Sequence, residues 1–476
     1  MKCHPCFQHG RRSFLSGLGA SALTYLLADS ARAADDAPPG PNFAPKAKRA
    51  IWLFMAGGPS QVDLFDYKPG LAARFNEDLP ASVRNDQRLT GMTSGQSRLP
   101  LAPSKFTFQQ SGESGAWVSE LLPWTQRVVD KMAIIRTMST ESINHDLALS
   151  NINTGSQLPG KPAMGAWLSY GLGRIQDDMP TYVVMTSRFS TRLSVQSIPA
   201  RIWGSAFLPA THGGIPMRGV GDPILYLPNP SGVTTAARRS MLDTLGSLNS
   251  LSAEALSDPG IEDRTGQYEL AFRMQSSMPG LMDLAGESDA TLELYGEDVH
   301  TPGTFAANCI AARRMLEKGV RFAQIYHRGW DAHFVTPENH TTQCRDIDQA
   351  CYGLLTDLEQ RGMLEDTLVI WGGEFGRTVY CQGELTRDNY GRDHHPRCFT
   401  MWMAGGGVRP GIVYGETDDF SYNVVDREVP LRDLHATVLH LFGLDPDRLR
   451  FLHAGLPERL IGVGAPARVV TDLITG

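Results

Sequence analysis

Short apolar runs, each closed by turn-forming residues, punctuate the chain and set its plan. The run 50–55 is bounded by Gly57-Gly58-Pro59, and similar runs recur at 132–135, 182–185, 322–326, 367–371 and 399–403. Fully apolar runs of this length predict strands buried on both faces. Between several of them the apolar positions take a helical period: 347–358 ends near Gly362, and 431–441 stops at Gly443. Strands alternating with helices predict an α/β fold, a three-layer α/β/α sandwich on a mostly parallel central sheet. Ligands in such sheets bind beyond the carboxyl ends of the strands, so chemistry is to be sought there. The stretch 186–303 breaks the rhythm, with Pro-rich turns at 209–230 and a Ser/Leu-rich helical region at 234–282. It predicts an insertion or cap.

The front of the chain follows different rules. Residues 1–33 combine Arg11-Arg12-Ser13-Phe14-Leu15, a modest apolar stretch at 14–27 that includes Gly17 and Gly19, and the small-residue site Ala31-Arg32-Ala33. This pattern predicts a twin-arginine signal peptide, with the twin-arginine export machinery as partner. An ordinary secretory signal is the alternative. The mature protein is then expected in the periplasm or outside the cell, with no stable membrane span after cleavage. A Pro- and Ala-rich linker occupies 34–48, and 49–476 reads as a single domain carrying the insertion.

Composition narrows the partners. The chain of 476 residues carries a formal charge of -7, and removing Lys2, Arg11, Arg12, Arg32 and Asp29 with the leader leaves -10. Nucleic acid is excluded as a bulk-charge partner, and any anionic substrate must be held locally by Arg, Lys, backbone N–H groups or a metal. Of the 7 cysteines, Cys3 and Cys6 lie in the leader. The remaining Cys309, Cys344, Cys351, Cys381 and Cys398 are odd in number, so at least one thiol stays unpaired.

Polar groups follow the apolar runs at once: Asp63 after the first, Asp331 and His333 after the fourth of the long ones, Glu374 after the next. The segment Gly391-Arg392-Asp393-His394-His395-Pro396, read as a loop beside the last strand, adds three more. Imidazole and carboxylate ligands suit zinc, manganese, calcium or magnesium, and no cysteine accompanies them. Singly, each has a plainer reading: Asp331 as a helix cap, Glu374 as an ion-pair partner of Arg377, the double histidine as a solvated loop. Arg377 could instead fork onto an anionic oxygen. His435 and His440 read as a packed or capping pair. The Gly57-Gly58-Pro59-Ser60 turn lacks the Lys of a phosphate loop, and no Gly-x-Ser-x-Gly elbow is present.

The segments 57–66 (Gly57-Gly58-Pro59-Ser60 through Asp66), 165–173, Gly329-Trp330-Asp331-Ala332-His333, Gly372-Gly373-Glu374-Phe375-Gly376-Arg377-Thr378 and 391–396 together resemble the secreted family known as domain of unknown function 1501. That family lies within the alkaline phosphatase and sulfatase superfamily. The resemblance implies an alkaline phosphatase-like sandwich whose relatives bind two divalent metals, usually zinc, and hydrolyse phosphate or sulfate esters. It implies metal ligation by Asp331 and His333, by Glu374, by His394 or His395, and by Asp63. Where relatives have a His after the acidic ligand, this chain has Phe375. Where the phosphatases carry a nucleophilic Ser before a Thr-Gly pair, Thr154-Gly155 places His145, with neither Ser, Thr nor Cys in that position. His145 is then a ligand, a phosphoryl acceptor, or a bystander to hydroxide attack.

Two functions are thus expected. The first is a metal-dependent secreted hydrolase of sulfate or phosphate esters, taking a small anionic ester or sulfated glycan. Its metal would be zinc, or alternatively manganese or calcium, with His145 and Arg377 as catalytic residues. The second is a catalytically inactive exported protein that binds a glycan, a metal or an envelope partner.

Overall fold

The computed structural model describes residues 39–188, 195, 197–224, 227–256, 259–462 and 466–476. The leader 1–33 lies outside the described residues. Strand β1 (Arg49–Ala56) sits inside a nine-stranded sheet and shows why the sequence builds it. Ile51, Leu53 and Met55 enter one hydrophobic core, while Ala50, Trp52, Phe54 and Ala56 enter the other. Side chains alternate across a strand, so a strand covered on both faces must be apolar throughout.

The other strands of this sheet are β2 (Met132–Ser139), β3 (Tyr182–Thr186), β4 (Ile215–Met217), β5 (Phe322–Arg328), β6 (Thr367–Gly372), β9 (Phe399–Ala404), β10 (Ile412–Tyr414) and β11 (Val429–Pro430). The order is β10-β2-β9-β6-β1-β5-β3-β4, and β11 also pairs with β2. Only β9 runs antiparallel to its neighbours. The chain between β6 and β9 forms a separate antiparallel hairpin, β7 (Gly376–Gln382) and β8 (Gly391–His395).

Helices α1 (His145–Thr154), α2 (Met164–Leu172) and α7 (Leu431–Leu441) cover one face of the sheet, and α5 (Phe305–Glu317) and α6 (Thr336–Gln360) cover the other. The result is the three-layer α/β/α sandwich that the strand–helix alternation predicts. Within 186–303, β4 extends the edge of the sheet, and α3 (Thr235–Leu256) and α4 (Pro259–Ser277) pack on each other as a helical hairpin. All five cysteines named above are buried and free. Among the described residues no helix is long and apolar enough to cross a membrane.

One expectation changes. The segment 391–396 is not a loop: β8 places His394 opposite Arg377 and His395 opposite Gly376, with a bulge between Arg392 and His394. Gly391 makes this possible, because a Cβ there would stand 1.8 Å from the His333 carbonyl oxygen. The hairpin is thereby pressed against the turn that follows β5.

Candidate metal centre

The carboxyl ends of β1, β5 and β6 lie side by side in the sheet, and the residues that follow them converge. Gly57, just after β1, adopts φ +116°, and a Cβ on it would meet the Asp331 nitrogen at 2.4 Å. Only glycine allows the first turn to approach the second so closely. Asp331 follows β5, and His333 lies two residues on. Glu374 falls between β6 and β7, and His394 stands on β8. His145 is the first residue of α1, whose start is capped by the Asn144 side chain accepting the Asp146 N–H.

Four of these side chains share one point. Ligand atoms of His145, Asp331, His333 and His394 all lie within 4.8 Å of one another. His333 Nε2 is 2.8 Å, His145 Nε2 3.2 Å and His394 Nε2 3.5 Å from Asp331 Oδ1. All three Nε2 atoms are buried, and beyond the Asp331 carboxylate none has a hydrogen-bond partner among the described residues. Each ring is instead anchored through its other nitrogen: His145 Nδ1 to Glu374 Oε1 at 2.6 Å, His333 Nδ1 to Gln382 Oε1 at 2.6 Å, and His394 Nδ1 to the Ile143 carbonyl at 2.8 Å. An imidazole that donates from Nδ1 presents its Nε2 lone pair, so three lone pairs and a carboxylate face a common position. Outer acceptors of this kind are what orient histidine ligands. Donor type and arrangement therefore fit one divalent cation.

The charges of the cluster act on one another. Burial would raise the Asp331 carboxyl, but the three imidazoles and Arg377 outweigh it and hold the group well below the usual carboxylate range. Burial lowers His394 to about 4, which keeps it neutral. For His145 burial also lowers, yet Asp331 and Glu374 on either side raise it above its ordinary value.

The remaining sequence candidates stand elsewhere. Asp63 does not reach the cluster. Its carboxylate meets Arg392 Nε at 2.7 Å, the Tyr390 hydroxyl at 2.7 Å and the Ser60 hydroxyl at 2.5 Å, all fully buried. Burial pushes this carboxyl up, but Arg392 prevails and holds it at about 2. His395 points to the opposite side of β8 from His394, donating from Nε2 to the Tyr422 carbonyl at 2.8 Å. Glu374 is behind His145 rather than in the group of four: it accepts the Gly57 N–H at 3.0 Å and 3.2 Å as well as the imidazole. Arg377 pairs with Asp331 at 2.6 Å, not with Glu374, and its other bonds go to the carbonyls of Gly57, Gly58 and Arg392. It is fully buried, so its guanidinium shapes the turn and steadies Asp331. The Phe375 ring lies 4.7 Å from His145 and 4.6 Å from His394, an apolar wall where a second imidazole is expected. Gln382 and the Ile143 carbonyl escaped the sequence reading, since neither has a spacing that ties it to a histidine distant in the chain.

No curated protein matches the chain. Among solved structures it is similar to Ps i-CgsB, at 8% identity over 84% of this chain and 72% of that one, with a TM-score of 0.36. The PsFucS1 sulfatase from Pseudoalteromonas sp. shows 11% identity over 84% and 68%, with a TM-score of 0.33. The alkaline phosphatase from the Antarctic bacterium TAB5 shows 11% over 85% and 100%, also at 0.33. The family described as Protein of unknown function (DUF1501) matches residues 47–474, almost the whole of the described domain, and the chain belongs to that family.

Proposed function

We propose that His145, His333 and His394, through Nε2, and Asp331, through a carboxylate oxygen, hold one divalent cation, and that the protein is an exported hydrolase of sulfate or phosphate esters. The observation that carries the reading is the convergence on the Asp331 carboxylate of three buried imidazole nitrogens that have no other partner among the described residues. Three imidazoles with one carboxylate suit zinc first and manganese second; calcium, which prefers oxygen ligands, fits poorly. When bound, the cation supplies Lewis-acid polarisation and lowers the pKa of water toward neutrality.

The chain's own residues do the rest. Glu374 keeps the proton of His145 on Nδ1, Arg377 fixes the position of Asp331, and Phe375 keeps water from one side. His145 acts as a ligand rather than as a phosphoryl acceptor, because its Nε2 belongs to the converging group. The substrate is a small anionic ester or a sulfated glycan, delivered to a protein exported through its twin-arginine leader. Elemental analysis of the purified mature protein, followed by chromogenic sulfate and phosphate esters with and without zinc or manganese, tests this. Less than about half an equivalent of any divalent ion defeats it.

One observation favours a second reading, an exported metal-binding protein without hydrolysis. Arg377 is bonded to protein carbonyls and Asp331, and offers no fork to a substrate anion. Full metal loading with no turnover of any ester supports that reading.

A further inference from the structure

The cation reading leaves open what holds the ligands still, and this inference rests on that reading. Two of the three imidazoles depend on residues that a single outer segment, 90–96, fastens. Behind His333, Gln382 offers its amide oxygen at 2.6 Å, while its amide nitrogen lies 3.7 Å from Met92 Sδ. Sulfur can only accept here, so the amide is turned with nitrogen to sulfur and oxygen to imidazole. Gln96 grips the chain on both sides of Gln382: its Nε2 donates to the Cys381 carbonyl at 3.2 Å, and its Oε1 accepts the Gly383 N–H at 2.9 Å. The same segment reaches the strand that carries His394. Thr93 Oγ1 donates to Asp393 Oδ2 at 2.6 Å, Thr90 Oγ1 donates to the same oxygen, and Asp393 Oδ1 accepts the His394 N–H at 2.8 Å. Thr93 and Asp393 are fully buried and Gln382 nearly so.

We propose that segment 90–96, which supplies none of the four ligands, is the brace of the cation site, and that Gln382 and Asp393 are the positioning residues through which it fixes His333 and His394. An acceptor on Nδ1 sets the tautomer and the ring plane of a ligating histidine, and its loss typically weakens metal affinity 10- to 100-fold. A residue that only stabilises the fold has no such effect on folded protein.

The test measures zinc affinity of the mature protein by chelator competition and records the visible absorption of the cobalt(II) form. Circular dichroism and denaturant unfolding report the fold. Gln382→Leu is expected to bind zinc about 10- to 100-fold more weakly, with an altered cobalt spectrum. Gln382→Glu, which restores an acceptor, is expected to recover most of the affinity. Thr93→Val, acting from the segment itself, is expected to weaken binding a few-fold. Wild-type affinity in folded Gln382→Leu overturns the proposal. Should that variant not fold, wild-type affinity and spectrum in Thr93→Val overturn it equally. A wild-type protein that binds no zinc or cobalt removes the cation reading and the brace together, whereas normal wild-type binding with unaffected variants removes the brace alone.

Discussion

Two carboxylates follow strand ends at the same rim of the sheet, Asp63 after β1 and Asp331 after β5, and their surroundings differ in kind. Asp63 is enclosed, and its partners Arg392, Tyr390 and Ser60 satisfy it. Asp331 keeps 32% of its side chain exposed and faces three imidazole nitrogens that have no other partner among the described residues. Both are acids in polar company, and sequence treats them alike. The lesson is that a satisfied buried ion pair belongs to the architecture, whereas lone pairs converging without donors describe a place for a cation.

Four experiments press on that contrast. Asp63→Ala leaves the Arg392 guanidinium buried and unpaired, and unfolding in denaturant is expected to show a loss of about 3–5 kcal/mol. The cation content of the molecules that remain folded is expected to be unchanged; loss of the cation with stability intact inverts the comparison. Asp331→Ala behaves in the opposite way. Zinc at about 100 times its dissociation constant is expected to stabilise wild type by about 2.7 kcal/mol, and thermal denaturation of the variant is expected to show no such protection.

The pH profile gives a smaller effect. Burial lowers His435, whose Nε2 donates to the Ile152 carbonyl, to about 4, against an ordinary value of 6.5. The folded state therefore resists protonation that the unfolded state accepts. The stability this represents is whole above pH 6.5 and is lost as pH falls toward 4, amounting to about 2.5 kcal/mol at pH 4.5 for this residue. Buried His340 and half-buried His212, both also near 4, add to the same slope. Thermal midpoints from pH 7 to 4.5 are expected to fall less steeply in His435→Gln than in wild type. Smallest is His395→Gln, which gives up one hydrogen bond to the Tyr422 carbonyl. Stability drops by about 1 kcal/mol and zinc stoichiometry stays the same, because the ring faces away from the cluster. Loss of zinc in that variant, measured by elemental analysis, contradicts the placement.

Legibility followed burial. The central strands were readable because a strand covered on both faces has nowhere to place a polar side chain, and the apolar run 50–55 lies inside Arg49–Ala56. Helix α7 has the bounds its period predicts. Helix α6 begins at Thr336, well before the expected 347, because its first turns bury polar residues. Asn339 and Gln343 donate to the Gly329 carbonyl, and His340 accepts the Ser60 N–H, so the apolar period is hidden there. Strand β8 was unreadable for a related reason: all five of its residues are buried, yet none of them is apolar. At the site, the residue types were visible but their grouping was not.

The sequence by itself determined the layers and the strand ends at which acids and imidazoles appear, since hydrophobic period and turn residues are local properties. It did not determine which of His394 and His395 faces Asp331, whether Asp63 or His145 completes the group, or that Arg377 is enclosed by carbonyls. Those choices depend on the pairing of β7 with β8 and on the glycine contacts at Gly57 and Gly391. A side chain's direction in a strand reverses with each residue, so only the tertiary pairing decides which lone pairs meet.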